Sequence, residues 1–170
     1  MTIRRSVRSF AAVSGAVAVF IGLVAAPVAA SSSTRWVDDD GRAGPSSCSG
    51  SRSVTKHIQT AVDASRTGDT IVVCPGTYRG RVVIEGKKGL TIQGPSGQTA
   101  VVIPSQGLQP RAAAIMVKNS SNVTIRRLRV AVPSLSAHGS CTYFMSGIKG
   151  LNSSAITVTA NHVKTPWSSG

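Results

Sequence analysis

The residues with chemical potential in this chain are mostly cations. Nineteen Lys and Arg stand against six acids, a formal net charge of +13 over 170 residues. The acids are Asp38, Asp39, Asp40, Asp63, Asp69 and Glu85; after Glu85 there is none, while nine bases follow. Glycosidases usually place two carboxylates across the scissile bond, and the second half of the chain has neither. It also lacks the acids for a carboxylate-rich calcium site or for an Asp or Glu general base. What it does carry is Arg126, Arg127 and Arg129 around Leu128, with Lys118 and Lys149 in neighbouring runs. A strip of these five would attract uronates, sulfated glycans or phosphates by charge and by bidentate contacts. The competing reading of the same residues is a solvated basic face.

Other candidates carry less. His57, His138 and His162 share no metal-ligand spacing, so each reads as a surface or packing residue. Tyr143 and Phe144 are adjacent and read as a sugar-stacking pair or as cover for apolar side chains. Asp38, Asp39 and Asp40 precede Gly41 and read as a solvated turn, since three consecutive acids do not converge as ligands do. No catalytic residue, metal site or cofactor is assigned. The charge alone would admit nucleic acid, but no series of aromatics offers a stacking platform.

These residues must be positioned by a chain that begins with a leader. Arg4, Arg5 and Arg8 form a basic head, Phe10 to Val24 an apolar run, and Pro27 with Val28-Ala29-Ala30 a small-residue exit. Those are the parts of a secretory signal, with cleavage expected after Ala30 and no membrane span thereafter. The expected location is extracellular or periplasmic. In that oxidising setting Cys48 and Cys74 are paired, and Cys141 is left over.

The body of the chain is repetitive. Arg81 to Gln93, Ala114 to Arg126 and Gly147 to Thr159 align without gaps at a spacing of 33 residues. Each unit has two short β-branched runs around a polar turn. Leu90 and Ile92, Val123 and Ile125, and Ile156 and Val158 alternate with Thr91, Thr124 and Thr157, which is strand periodicity with threonine outward. No unit has a helical stripe, and the unit is too short for a four-stranded propeller blade. What remains is an all-β solenoid whose equivalent strands pair in parallel about 4.8 Å apart. Asn119 and Asn152, with Gly86 before them, occupy equivalent turns where a left-handed conformation is tolerated and stacked amides can bond along the axis. Asn119, Asn122 and Asn152 also match the glycosylation sequon, which does not explain their period.

Residues 31–66 read as an N-terminal cap and 67–170 as coils. Ser53 to Ser65 is predicted as the one helix, capped by Ser53, with Val54, Ile58, Ala61 and Val62 on one face. Thr70 to Val73 is predicted as a buried strand, and a Cys48–Cys74 bridge would tie the preceding loop to it. After Thr159 only eleven residues remain, so the third coil is expected to be unfinished and the chain truncated.

The pieces Ile58-Gln59-Thr60-Ala61-Val62-Asp63-Ala64, Gly68-Asp69-Thr70-Ile71-Val72-Val73, Pro75-Gly76-Thr77-Tyr78, Val82-Val83-Ile84 and Gly89-Leu90-Thr91-Ile92-Gln93-Gly94, in that order, resemble the opening of right-handed parallel β-helix proteins of the pectate lyase-like superfamily. The likeness runs from about Trp36 to the end and is nearest to the pectin methylesterase-like and unclassified β-helix groups. It implies a single-stranded right-handed parallel β-helix with an N-terminal capping helix. Members mostly act on polysaccharides, often acidic ones, and some are non-catalytic. The aspartates of the esterases and polygalacturonases, and the calcium ligands of the pectate lyases, have no counterpart after Glu85. The expected function is therefore an exported, non-catalytic binder of anionic polysaccharide or cell-surface glycan. The alternative is the N-terminal part of a polysaccharide lyase or pectin esterase-like enzyme whose catalytic coils lie further on.

Overall fold

Most of the β-branched runs form strands by alternating an inward apolar side chain with an outward polar one, while Thr70–Val73 and Ala113–Lys118 are buried along nearly their whole length. The computed structural model describes residues 31–96, 100–103, 113–131 and 146–164. Residues 1–30, expected as a leader, and Cys141, His138, Tyr143 and Phe144 lie outside them. Strands β1 (Thr34–Val37), β4 (Thr70–Val73), β7 (Thr91–Gln93), β10 (Thr124–Arg126) and β13 (Thr157–Thr159) make a five-stranded parallel sheet, sheet I. Strands β5 (Gly76–Arg79), β8 (Ala100–Ile103), β11 (Leu128–Ala131) and β14 (His162–Lys164) make sheet II. Strands β6 (Val82–Glu85), β9 (Ala113–Lys118) and β12 (Ser146–Leu151) make sheet III. The chain visits III, I and II in turn, so each coil is one circuit of a β-solenoid.

Registry matches the 33-residue spacing. Thr91, Thr124 and Thr157 are Cα partners, and Thr70 and Thr34 extend the same outward ladder to five rungs. Beneath it Ile71, Ile92 and Ile125 form a column with at most 1% exposure. Leu90 and Val123 are fully buried, and Ile156 packs on them from the last described coil. Each such side chain contributes about 1.5–3 kcal/mol by leaving water.

The third strand of each coil was not expected. It falls in the apparent spacers after Gln93 and Arg126. Its step along the chain varies, from 24 residues between Gly76 and Ala100 to 28 between Ala100 and Leu128 and 33 between Arg129 and His162. A fixed offset therefore does not find it. The first coil is also short, with 21 residues from Thr70 to Thr91.

The turn between sheets III and I uses left-handed residues at two positions per coil. These are Gly86, Asn119 and Asn152, then Gly89, Asn122 and Ala155, with φ between 47° and 66°. The expected conformation is present, but the amides do not bond the backbone of the preceding coil. Serine hydroxyls do: Ser120 Oγ accepts from Lys87 N at 3.1 Å, and Ser153 Oγ accepts from Ser120 N at 3.1 Å. The Asn119 amide reaches Glu85 Oε1 at 3.5 Å. A short hydroxyl one residue past the left-handed position points at the preceding coil's N–H, whereas the exposed Asn119 and Asn152 side chains lean outward.

The cap differs from the sequence expectation in detail. Helix α1 runs only from Ile58 to Ala64, and its N-cap His57 offers no side-chain cap bond. Ser53 instead belongs to β3 (Arg52–Ser53), antiparallel to β2 (Arg42–Ala43), so its backbone is committed to a hairpin and cannot start a helix. Ile58, Ala61 and Val62 are buried as expected. The Cys48–Cys74 disulfide is formed, with a Cα separation of 5.4 Å, and ties the hairpin loop to the end of β4. Strand β6 is the edge of sheet III, and the Gln59 amide satisfies that edge: Val83 N donates to Oε1 at 2.7 Å while Nε2 donates to Val83 O at 3.0 Å. Lys87 Nζ donates to Asp63 O and Ser65 O at the helix C-terminus. These bonds fix α1 over the first coil.

Candidate functional site

Strand alternation decides where each basic side chain points. On sheet I, Arg126 is the Cα partner of Gln93 and Thr159, as expected for an outward position. Its Nε donates to Gln93 Oε1 at 2.7 Å. Arg127 turns the corner into sheet II with φ 55°. Its guanidinium donates to Gln93 Oε1 at 3.0 Å and to Gly94 O at 2.8 Å. Two guanidinium groups thus converge on one glutamine oxygen, which holds like charges together without a carboxylate between them. Arg129 follows on β11, exposed, with His162 as its Cα partner on β14 and Lys164 two residues further on.

Lys118 and Lys149 do not join this group. Both are on sheet III, where Lys149 is registered with Met116 and Lys118 with Leu151. Lys118 Nζ is paired with Glu85 Oε1 at 3.0 Å, so part of its charge is already answered. The five expected residues therefore divide into a sheet I–II cluster of three arginines and two separate lysines.

The acids have structural work. Asp69 is 1% exposed and accepts from Ser33 N, Ser33 Oγ, Arg35 Nε and Arg66 N. The Asp38-Asp39-Asp40 run is a turn, closed by Gly41 N donating to Asp38 O at 2.9 Å, with Asp39 and Asp40 exposed as expected. Asp38 is 6% exposed, and Asp39 Oδ2 accepts from Thr77 N at 3.0 Å at the start of β5. A side chain on Gly76 would overlap that carboxylate, so the acid run is locked against the first coil. Tyr78 donates its buried hydroxyl to Cys74 O or Val37 O. Burial, followed by the Asp38 and Asp39 charges, pushes its pKa well above the usual phenol value. Among the described residues no cluster of three or more His, Cys, Asp or Glu could hold a metal ion, and no helix is long and apolar enough to cross a membrane.

One concavity lies away from these groups. A cleft of about 300 Å³ opens between the start of α1 and the β5–β6 turn, with Ile58, Tyr78 and Val82 in its wall. Lys56, His57, Arg79 and Arg81 line it too. Sequence reasoning passed over it because its two sides, residues 56–60 and 78–82, are separated in the chain and share no motif. The only available sign was that both flank elements of the cap. Comparison with models of known families, with curated proteins and with solved structures gives no match.

Proposed function

We propose that the protein is an exported, non-catalytic β-solenoid of the right-handed β-helix kind that binds anionic polysaccharide through its basic flank. The observation that supports this reading is the cluster of Arg126, Arg127 and Arg129 at the junction of sheets I and II, in a stretch with no acid. The three arginines lie on one coil, and the rungs on either side of Arg126 carry Gln93 and Thr159, so the cluster offers a local anchor for one or two acid groups of a polymer. Each guanidinium has N–H donors left over for a carboxylate or sulfate. The Cys48–Cys74 disulfide is compatible with an oxidising compartment.

The test is chromatography of residues 31–170 on immobilised polygalacturonate. Retention is expected to weaken steeply with added salt, and the Arg126→Ala/Arg129→Ala double variant is expected to elute earlier at every salt concentration. Retention indifferent to both salt and the arginines would refute the reading.

A second reading is favoured by the exposed core-column side chains Val158 and Val163 of the last described coil. Here the coils are the scaffold of a polysaccharide lyase or pectin esterase-like enzyme, and further coils carrying acids stack on β12 to β14. Coding sequence for such coils, with paired aspartates, would support this reading; its absence from the transcript would end it.

A further inference from the structure

We infer that the cleft between α1 and the β5–β6 turn is a separate anion site, shaped for the acid group of a single anionic sugar. Four side chains with basic nitrogen line it: Lys56 and His57 from the segment before α1, and Arg79 and Arg81 from either side of the β5–β6 turn. None of the four takes part in an ion pair among the described residues. The acids on or against the flanking elements have other partners: Glu85 at the end of β6 pairs with Lys118 at 3.0 Å. Asp63 Oδ1 accepts from Gln59 Nε2 at 2.7 Å, and Asp39 Oδ2 accepts from Thr77 N at 3.0 Å. Like charges facing one another across a concave surface repel, and an anion between them relieves that repulsion.

The two walls are held apart by the fold rather than by the cations. Gln59 brackets the backbone of Val83, which fixes α1 and the residues just before it against β6. On the opposite side the turn passes through Gly80 at φ 126°, a conformation that favours glycine. That turn places Arg79, the last residue of β5, and Arg81, just before β6, at the same rim. A site whose walls are set before the ligand arrives loses little entropy on binding.

Size and lining indicate the ligand class. A volume of about 300 Å³ is at the small end of ligand pockets and suits one sugar unit rather than a polymer segment. Thr60 and the apolar wall of Ile58 and Val82 can meet a sugar ring, while the arginine forks can take a planar carboxylate or a sulfate or phosphate ester. The shared chemistry is an oxyanion borne on a hydroxylated ring. This site uses none of the residues of the sheet I–II cluster, so either can fail without the other.

The test is amide NMR titration of residues 31–170 with galacturonate, with glucose 6-sulfate and glucose 6-phosphate, and with uncharged glucose. Saturable shifts at Thr60, Gly80 and Val82 are expected with at least one acidic sugar and not with glucose. The acidic arms decide between carboxylate and ester. Arg81→Ala is expected to weaken the binding roughly tenfold, the loss of one charge-assisted contact, and Lys56→Glu/Arg81→Glu to abolish it. Lys88→Ala, an exposed base outside both sites, is expected to leave it unchanged. Thermal melts and unperturbed shifts at Ile92 and Ile125 show that each variant stays folded. No saturable shift with any acidic sugar overturns the inference, as does equal loss in Lys88→Ala, whatever the outcome on the polygalacturonate column.

Discussion

Asp69 shows how one carboxylate can hold the end of a solenoid. Burial by itself would raise its pKa, but the N–H groups of Arg66 and Ser33, the Ser33 hydroxyl and the Arg35 guanidinium outweigh that effect and hold it at about 2, against 3.8 when unperturbed. The sign follows directly. A carboxyl whose folded pKa is depressed favours the folded state once ionised. The contribution is complete above about pH 4 and drains away as pH falls through about 2. The shift corresponds to about 2 kcal/mol for this nearly inaccessible group. Asp69→Asn keeps the shape but not the charge and replaces one acceptor oxygen with a donor. It is expected to cost about 2–3 kcal/mol at pH 7 and to flatten the loss of stability between pH 4 and 2, both measured by urea unfolding across pH. An acid limb identical to that of the unsubstituted protein would show that Asp69 is not the responsible group. Asp38 works in the opposite sense: burial foremost, with the neighbouring Asp40 and Asp39 charges, raises its pKa, so its ionisation above the usual range opposes folding. The variant at Asp69 would expose that weaker, reversed slope.

At the level of turns and strands, the 33-residue period is written in backbone conformation as much as in hydrophobicity. The left-handed positions run Gly89, Asn122, Ala155 between sheets III and I, and Arg127, Ala160 at the next corner. Alanine has neither the missing Cβ of glycine nor the local hydrogen bonding of asparagine to ease that conformation. Ala155 and Ala160 are exposed, so nothing packs against a methyl that glycine would remove. Ala155→Gly and Ala160→Gly are each expected to stabilise the protein by up to about 1 kcal/mol, the relief of left-handed strain less the extra chain entropy of glycine. Thermal melts check this, and lower melting temperatures in both would mean the turns are not strained. The same regularity made sheets I and III legible in the sequence, since Thr91, Thr124 and Thr157 recur at one offset. Sheet II was not legible, because Tyr78, Val102 and Val130 are stacked in space but separated by unequal steps. The Ser53 to Ile58 stretch misled for a different reason: a capping residue and an apolar face suggest a long helix, but a hairpin anchored near a disulfide claimed Ser53 first. The arginine cluster was legible as composition, yet its division from Lys118 and Lys149 was not, since only registry reveals that Lys118 faces Glu85.

Over the whole molecule, the two ends of the described stack are not alike. At the N-terminal end α1 covers the first coil, Gln59 satisfies the edge of β6, and Arg35 with Asp69 closes the head of the Ile71 column. At the other end that column reaches Val158, 49% exposed, and the Val102–Val130 column of sheet II reaches Val163, 43% exposed, with no further strand beyond β12, β13 or β14 among the described residues. Each coil touches only its neighbours, so stability adds along the axis coil by coil. The cost of removing a side chain should therefore depend on its rung. Ile125 and Val158 are Cα partners in adjacent strands and differ chiefly in what covers them. Ile125→Ala, in a fully buried rung, is expected to cost about 3–4 kcal/mol. Val158→Ala is expected to cost under about 1 kcal/mol, because half of the side chain already meets water. Hydrogen exchange should follow the same gradient, fastest in β13 and β14 and slowest in β7 and β10. Equal costs at the two positions, or equal exchange along the stack, would mean that the last coil is covered in solution. A partner on β12 to β14 would then have to be sought before any ligand is assigned to the solenoid flank.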